Sequence, residues 1–324
     1  MKTLINTNYG RKKIFLWFFL TFFLFVIGCT STPRSSKNWP EKVLKKLSLR
    51  EKIAQMMIYR MHLKYENITS EKWEEITKLI SSDGIGGIHL WSGDGSSSLA
   101  FINEIQKRSK VPIIFDADIE RGFGQRFPSG IDFPPMMAIT ATGNPKNAYE
   151  VGRIVATESR AAGVHWNLSP VADVNNNPLN PIINTRSFSE NPDIVSEFSL
   201  EYTKGLQDYG MIATAKHFPG HGDTQTDSHS SLAMIPSDSS RLWSLELKPF
   251  MALAEADIDV VMVAHVHAPD YQPEADDPAT LSSFWVTDVL KNRLGFTGAI
   301  ITDAMGMGGI TKNYSDGYAL VKAI

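Results

Sequence analysis

The sequence predicts an α/β fold, namely a (β/α)8 barrel of the TIM type that ends before its eighth strand and helix. Two patterns predict this class: short apolar runs alternate with longer helical segments, and polar residues follow nearly every run. An open doubly wound sheet gathers its ligand groups at one switch point, whereas a barrel collects them from many strand ends onto one rim. The distribution of polar residues therefore favours a barrel.

The composition excludes several classes of protein. Of the 324 residues, 43% are apolar and 21% are charged, and 32 Lys and Arg stand against 35 Asp and Glu, which gives a formal charge of −3. A disordered polymer is excluded, and we predict no nucleic-acid partner because no basic excess exists to neutralise phosphates. The single cysteine allows neither an intrachain disulfide nor a zinc site built from cysteines.

The first 28 residues are predicted to be a lipoprotein signal peptide. An uninterrupted apolar run at 14–27 follows four basic residues and is shorter than the roughly 20 residues that span a bilayer as a helix. The run ends at Gly28 and Cys29, and this sequence resembles the bacterial lipobox, where the chain is cut before a cysteine that is then acylated. The alternative is an anchor helix that contains a buried cysteine.

These features divide the chain into three parts. Residues 1–28 are the predicted signal peptide, 29–38 a lipidated polar tether, and 39–324 the barrel domain. We therefore expect an exported bacterial lipoprotein that is anchored to a membrane through the lipid on Cys29 and faces the periplasm or the cell surface.

Seven apolar runs are candidates for the strands of the barrel. Several of them are apolar on both faces, which is typical of parallel strands covered by helices. The runs are Gln55–Arg60, Gly84–Trp91, Val111–Asp118, Val164–Pro170, Met211–His217, Asp259–His265 and Gly298–Asp303.

The segments between the runs have the apolar spacing of helices. Apolar residues recur at intervals of three and four in the segments 151–162 and 194–206. Pro192 before the second segment and Gly210 after it mark a helix start and stop.

The densest group of chemically active side chains lies between Lys216 and His229. A strand is predicted to end at Lys216 and His217, and a proline and two glycines then impose an irregular loop. Asp227 and His229 are two residues apart, so a tight turn would place the carboxylate on the imidazole. Such a pair orients the ring and favours its protonated form, which suits the ring to act as general acid and then base near neutral pH.

This block resembles the signature of a known family. The segment KHFPGHG at 216–222, followed by DSH at 227–229, is similar to the signature of family 3 glycoside hydrolases of the β-N-acetylglucosaminidase branch. The resemblance extends from about Ser48 to the C-terminus, through LREKIAQMM, ADIERGFGQRF, INTRSFSENP and ITDAMGM.

The resemblance implies a role for each matched position. Asp303 matches the catalytic nucleophile, His229 the general acid/base on a mobile loop, and Asp227 the partner of that histidine. Asp118 matches the carboxylate that binds the outer hydroxyls of the non-reducing sugar. The other matched substrate-binding positions are Arg126, Arg186, Lys216 and His217.

The implied activity is the removal of terminal β-linked N-acetylglucosamine from peptidoglycan-type or related glycans, with retained configuration and a glycosyl-Asp303 intermediate. We predict no metal and no organic cofactor. A retaining glycosidase usually holds two carboxyl groups about 5–5.5 Å apart as nucleophile and proton donor. A histidine at 229 in place of the second carboxyl group would avoid repulsion beside Asp303, because a neutral imidazole carries no charge.

Alternative functions remain open from the sequence. A family 3 β-glucosidase would keep Asp303 but take its acid from a further domain. His265 and His267, with Asp303, could bind a divalent metal as in metal-dependent barrel hydrolases. A non-catalytic sugar-binding lipoprotein would bind N-acetylglucosamine without turnover. Transfer to phosphate instead of water is a further alternative.

Overall fold

The computed structural model describes residues 38–63, 70–93, 95–236, 239–271 and 277–324. The predicted signal peptide, Cys29 and the tether up to residue 37 lie outside the described residues, so these assignments stay predictions. Within the ranges just given, no helix is both long enough and apolar enough to cross a bilayer. The chain divides into two compact units, Met1–Lys52 and Ile53–Ile324.

The described part of the first unit contains one short helix and the start of a second. Helix α1 spans Trp39–Leu44, and α2 begins at Leu49 and ends at Ala54. Ser48 and Glu51 form a reciprocal cap at the start of α2: the Glu51 carboxylate accepts from the Ser48 backbone N–H at 2.9 Å, and the Ser48 hydroxyl accepts from the Glu51 N–H at 3.3 Å. This arrangement satisfies N–H groups that lack a partner within the helix.

One parallel sheet of seven strands forms the body of the second unit. Along the sheet the order is β1, β2, β3, β4, β5, β7, β9, and every pair is parallel. The strands are β1 Ile58–Leu63, β2 Gly87–Gly93, β3 Ile114–Ala117, β4 Trp166–Asn167, β5 Ile212–Phe218, β7 Val260–Val263 and β9 Ala299–Thr302. Each overlaps one of the seven predicted runs, so the predicted alternation of strands and helices is confirmed.

Helices and helical turns connect the strands. The α-helices are α3 Glu71–Lys78, α4 Gly95–Arg108, α5 Met136–Thr140, α6 Lys146–Ala161, α7 Pro192–Asp208, α8 Ser239–Ser244, α9 Lys248–Glu255, α10 Gly308–Thr311 and α11 Asp316–Ala323. Two segments, Leu79–Asp83 and Phe284–Arg293, are π-helical, and short 3₁₀ turns lie at Phe123–Gln125, Asn184–Arg186 and Ala279–Leu281. The two helices predicted from apolar spacing correspond to α6 and α7.

Helices α6 and α7 pack closely because each has a glycine at the crossing. A Cβ atom on Gly152 would lie 2.3 Å from the Tyr202 carbonyl oxygen, and one on Gly205 would lie 2.2 Å from the Tyr149 carbonyl oxygen. Neither position accepts a larger residue without separating the helices. Asn191 caps α7 by accepting from the Asp193 N–H at 2.9 Å.

Apolar side chains fill both faces of the sheet. The larger cluster lies between the strands and the covering helices and includes Phe115, Phe218 and Trp285, all fully buried. A smaller cluster on the other face contains Trp166, Leu168, Val260 and Met262. Strands buried on both faces explain the continuous apolar runs of the sequence.

A second, two-stranded sheet has no counterpart in the sequence prediction. Strands β6 (Ala233–Met234) and β8 (Val266–His267) pair in parallel. The Ile235 N–H also donates to the His267 carbonyl at 2.8 Å. The loop that follows β5 is thereby tied to the end of β7, next to the cavity described below.

Candidate active site

Four charged side chains form a continuous chain at the carboxyl ends of β3 and β5. The Lys216 ammonium lies 2.7 Å from an Asp118 carboxylate oxygen and 2.8 Å from a Glu120 oxygen. The Arg186 guanidinium donates two hydrogen bonds to Glu120, at 2.7 and 3.0 Å. Asp118 thus presents a carboxylate whose position is fixed by a buried cation.

Burial and charge act against each other in this chain. Burial raises the pKa of the Asp118 carboxyl, but the Lys216 ammonium and the His89 ring together outweigh burial, and the net pKa is lowered. The pKa of Glu120 falls well below its ordinary value, since Lys216 and Arg186 together overcome its burial. Burial lowers the pKa of Lys216, yet the two carboxylates raise it overall. All four groups are therefore charged at neutral pH.

The turn that carries Asp118 and Glu120 is held by side chains from other strands and helices. The Asn167 amide accepts from the Ile119 N–H at 3.0 Å and donates to the Ile119 carbonyl at 2.9 Å. The Tyr202 hydroxyl lies 3.1 and 3.0 Å from the Ile119 and Glu120 carbonyls. The Ile119 N–H and the Ile119 and Glu120 carbonyls all have hydrogen-bond partners, so this turn holds the two carboxylates in fixed positions.

Arg126 borders the same carboxylate. Its Nε donates to the Asp118 backbone carbonyl at 3.0 Å, and a terminal nitrogen lies 3.7 Å from the carboxylate. The Arg126 and Arg60 guanidinium groups lie 4.4 and 4.6 Å from the centroid of the Trp91 ring. These distances are those of cation–π contacts, which restrain both arginines at the mouth of the cavity.

His217 is oriented by Asp173, a residue that the sequence did not identify as part of the site. A fully buried Asp173 oxygen lies 2.7 Å from His217 Nδ1, and the carboxylate also accepts from the His217 and His221 N–H groups at 3.2 and 2.7 Å. Burial raises the pKa of Asp173, but the His217 ring and these bonds lower it overall. With Nδ1 engaged, Nε2 is the ring nitrogen available to a ligand.

The predicted pairing of Asp227 with His229 is present. Asp227 Oδ1 lies 2.7 Å from His229 Nδ1 and accepts from the His229 N–H at 2.9 Å. Burial raises the pKa of Asp227, and its bonds to His229 lower it by more. The His229 side chain is 55% exposed, so its other nitrogen is open to a substrate.

His221 lies in the same loop but is buried and fully engaged. Its Nδ1 lies 2.7 Å from the Thr224 hydroxyl, and its Nε2 lies 2.9 Å from the Ser228 hydroxyl. Burial, with a smaller effect of the neighbouring His217 ring, lowers the pKa of His221 to about 4. The neutral ring therefore holds the loop that carries His229.

Asp303 follows β9 and lines the same cavity as His217 and His229. One oxygen accepts from the Ala304 N–H at 2.7 Å. Burial raises the pKa of Asp303, but the neighbouring His217 and His265 rings and the Ala304 N–H together lower it overall. The carboxylate is therefore ionised at neutral pH, as a nucleophile must be.

The proposed metal ligands are engaged elsewhere. His265 Nδ1 lies 2.8 Å from the Thr280 hydroxyl, and Nε2 lies 3.0 Å from the Ala304 carbonyl oxygen. His267 Nδ1 lies 3.3 Å from the Asp277 carbonyl oxygen. Among the described residues, no three His, Cys, Asp or Glu side chains are grouped as metal ligands. The described part of the chain therefore contains no set of three such side chains that could bind the metal of that alternative.

These side chains surround one cavity of about 690 Å³. Of the eight catalytic and substrate-binding residues predicted from the sequence, all except Asp227 line it, and Asp227 lies behind His229. The lining residues are Asp118, Arg126, Arg186, Lys216, His217, His229 and Asp303. The sequence prediction missed further lining residues, namely Arg60, His89, Asp116 and Glu120.

The parallel sheet holds ionised carboxylates and imidazoles at the carboxyl ends of its strands, which is where α/β folds place their ligand-binding and catalytic groups. The family model for the N terminal domain of glycosyl hydrolase family 3 matches residues 48–324. The chain therefore belongs to glycosyl hydrolase family 3, and the resemblance to this family is confirmed.

Individual relatives support the same placement. The chain is 34% identical to "Beta-hexosaminidase A" of Pseudoalteromonas piscicida, a match that covers 73% of this chain and 44% of that protein. It is also 34% identical to "Beta-hexosaminidase" of Stenotrophomonas maltophilia (strain K279a), with 70% of each chain covered. A solved family 3 β-N-acetylglucosaminidase from Paenibacillus sp. str. FPU-7 matches with a TM-score of 0.78 and 35% identity, over 86% of this chain and 53% of that one. The chain thus spans about half the length of two of these three relatives.

Proposed function

We propose that this protein is a retaining glycosidase that removes terminal β-linked N-acetylglucosamine, with Asp303 as nucleophile and His229 as general acid/base. One observation carries the proposal: both side chains line the cavity that also holds Asp118 and Lys216. The names of the relatives, β-hexosaminidase and β-N-acetylglucosaminidase, support this choice of sugar.

In the first step, an Asp303 oxygen attacks the anomeric carbon, and the bond from that carbon to the leaving oxygen breaks. The His229 imidazolium gives its Nε2 proton to the leaving oxygen, so the aglycone departs as a neutral alcohol. The lowered pKa of Asp303 supports its role, because the nucleophile must be an anion. The product of this step is a covalent glycosyl ester.

In the second step, water gives a proton to the neutral His229 ring while its oxygen attacks the anomeric carbon. The ester bond breaks, and Asp303 returns as a carboxylate. Two displacements at one carbon retain its configuration. The Asp227 carboxylate, 2.7 Å from Nδ1, directs Nε2 towards the substrate and stabilises the imidazolium.

The remaining cavity residues bind the sugar in this proposal. Asp118, fixed by Lys216, accepts hydrogen bonds from outer hydroxyls, and Arg126, Arg186 and His217 contact the same sugar. A partly buried carboxylate with charged neighbours discriminates strongly in favour of a ligand that offers hydroxyl donors. The chemistry assigned to these residues uses no metal and no organic cofactor.

The proposal extends to the fold and to the location of the protein. We propose that the seven-stranded sheet is the larger part of a (β/α)8 barrel, and that the protein is an exported lipoprotein attached through Cys29. Peptidoglycan-type glycans are the proposed natural substrates, since they contain β-linked N-acetylglucosamine outside the cell membrane. Replacing Cys29 by Ser should move the protein from the detergent phase to the aqueous phase in a partition experiment.

Hydrolysis of an aryl β-N-acetylglucosaminide by the full chain tests the catalytic proposal. Asp303→Asn and His229→Ala should each lose most of the activity, whereas His62→Gln, at an exposed histidine outside the cavity, should keep it. Undiminished activity in either of the first two variants would refute the assignment. A wild-type protein that binds N-acetylglucosamine without turnover would instead support the non-catalytic alternative.

A further inference from the structure

A buried histidine–aspartate pair lies in the cavity and takes no part in the mechanism above. His89 on β2 and Asp116 on β3 are register partners in the sheet, and His89 Nδ1 lies 2.5 Å from Asp116 Oδ1. The two residues are 8% and 1% exposed, and both line the cavity. Two apolar residues would fill these strand positions at lower cost, since buried polar groups must be desolvated.

The pair leaves one oxygen without a partner. Asp116 Oδ2 is buried and has no hydrogen-bond partner among the described residues. An unsatisfied buried carboxylate oxygen is costly, and in native structures it calls for a functional explanation. The pair is therefore poorly explained as packing.

The other nitrogen of the ring points towards the sugar-binding carboxylate. His89 Nε2 lies 3.7 Å from Asp118 Oδ2, while Lys216 lies 2.7 Å from Asp118 Oδ1. A separation of 3.7 Å is too long for a hydrogen bond. A hydroxyl group that approached both atoms could donate to Asp118 and accept from a protonated Nε2, so the two side chains form a matched donor and acceptor.

The charges around His89 favour the protonated ring. Burial lowers the pKa of His89, but Asp116 and Asp118, both facing the ring from β3 and the turn after it, raise the pKa overall. Lys216 on β5 opposes them. Arg60, the register partner of His89 on β1, and Arg126, 3.7 Å from Asp118 Oδ2, are further cations near the ring, and both guanidinium groups lie against Trp91.

We propose that His89 and Asp118 together bind one outer hydroxyl of the terminal sugar, and that Asp116 is the positioning residue for the His89 ring. This inference rests on the proposed function and adds to it a specificity-determining residue. The group that His89 and Asp118 recognise is a free hydroxyl at C4 or C6 of a non-reducing terminal hexosamine. A sugar substituted at that oxygen would lack the donor hydrogen that Asp118 requires.

The test compares aryl β-N-acetylglucosaminide with its 4-deoxy and 6-deoxy analogues. His89→Gln should lower kcat/KM on the parent sugar by about 10- to 100-fold, since a hydrogen bond to a charged group is lost. The same variant should match the wild type on the analogue that lacks the recognised hydroxyl. An equal fold-loss on all three substrates would overturn the inference. His62→Gln is the matched control and should be unaffected on each.

Asp116→Asn tests the positioning role. Without the carboxylate the pKa of His89 falls, so the alkaline limb of kcat/KM should move to lower pH while kcat changes less than KM. A pH profile that superimposes on that of the wild type would contradict the role. If the single variants fold poorly, the double variant His89→Ile with Asp116→Ala replaces the pair by apolar residues. It should lose kcat/KM on the parent sugar and match the wild type on the analogue that lacks the recognised hydroxyl, as His89→Gln does.

Binding of free N-acetylglucosamine and its deoxy forms, measured by calorimetry on the full chain, repeats the comparison without turnover. If the wild type binds these sugars but does not cleave the aryl substrate, the proposed hydrolysis is contradicted and the role of His89 in sugar binding is not. Binding by His89→Gln that is as tight as wild type for all three sugars would overturn the present inference, whether or not the protein is a hydrolase.

Discussion

The Gly308 backbone N–H donates to the His229 carbonyl at 2.9 Å, so the chain after the proposed nucleophile is bonded to the loop that carries the proposed acid/base. The Gly309 N–H donates to the neighbouring Ser228 carbonyl at 3.0 Å. Asp303 and His229 are thus supported by segments that hold each other, and a displacement of one segment changes the distance between the two reacting groups.

Gly308→Ala should therefore reduce turnover. A Cβ atom at this position would lie 2.4 Å from the Ser230 carbonyl oxygen and 2.8 Å from that of His229. The resulting displacement of the loop should lower kcat by about 10- to 100-fold, because misplacement by about 1 Å is that costly. Binding of N-acetylglucosamine, measured by calorimetry, should change little, since Asp118 and Lys216 are untouched. Gly317→Ala, where a Cβ meets nothing within 4 Å, is the control; similar kcat values for both variants would contradict the expected effect.

Azide should rescue His229→Ala and report the stereochemistry. With an activated aryl leaving group the first step needs little acid assistance, so the glycosyl-Asp303 ester should accumulate and give a burst of aryl alcohol. Azide, which needs no general base, should restore turnover and yield the β-glycosyl azide, identified by NMR. Asp303→Asn should show neither burst nor rescue. An α-glycosyl azide from His229→Ala would argue against two displacements.

Glu120→Gln should destabilise the protein and weaken sugar binding. Glu120 is 7% exposed and is the shared partner of Lys216 and Arg186, so its loss leaves two cations partly unpaired. We expect the free energy of unfolding to fall by about 3–5 kcal/mol in urea denaturation, as for other broken buried pairs. Glu150→Gln, which removes an exposed pair with Arg153 at 2.8 Å, should leave it nearly unchanged, because solvent screens exposed ion pairs. Equal losses in the two variants would contradict this difference.

His221 should make stability depend on pH. Its native pKa of about 4 lies below the value of about 6.5 in an unfolded chain, so the unfolded state takes up the proton first. The stabilisation present above pH 6.5 should be lost as the pH falls towards 4, by about 3 kcal/mol at most. His221→Gln should be less stable at neutral pH and should show a flatter dependence between pH 6.5 and 4.5. Urea denaturation at several pH values measures this, and a parallel dependence in wild type and variant would contradict it.

The sequence predicted the strands better than their ends. Apolar runs identify buried parallel strands, but not their bounds. The predicted run Gln55–Arg60 begins about three residues before the strand Ile58–Leu63, because Met56 and Met57 are as apolar as the strand itself. The two-residue strands β6 and β8 are too short for any periodicity to indicate them. Their pairing depends on tertiary contacts alone.

The same limit applies to the site. The Asp227–His229 pair could be predicted because its members are two residues apart, and seven of the predicted residues line one cavity. Asp173 is 44 residues from His217, and Glu120 is 66 residues from Arg186. Partners so distant along the chain leave no local pattern. Their positions near strand ends are a usable signal, because the carboxyl ends of parallel strands meet at one edge of the sheet.

The glycines at the crossing of α6 and α7 have a consequence for how the site tolerates mutation. Gly152 packs on the backbone of Tyr202, and the Tyr202 hydroxyl in turn meets the carbonyls of Ile119 and Glu120. A methyl group added at Gly152 would therefore displace Tyr202. Through the Tyr202 hydroxyl, this displacement would reach the turn that carries Asp118 and Glu120. In the proposed enzyme, the affinity for the sugar therefore depends partly on Gly152, which does not line the cavity.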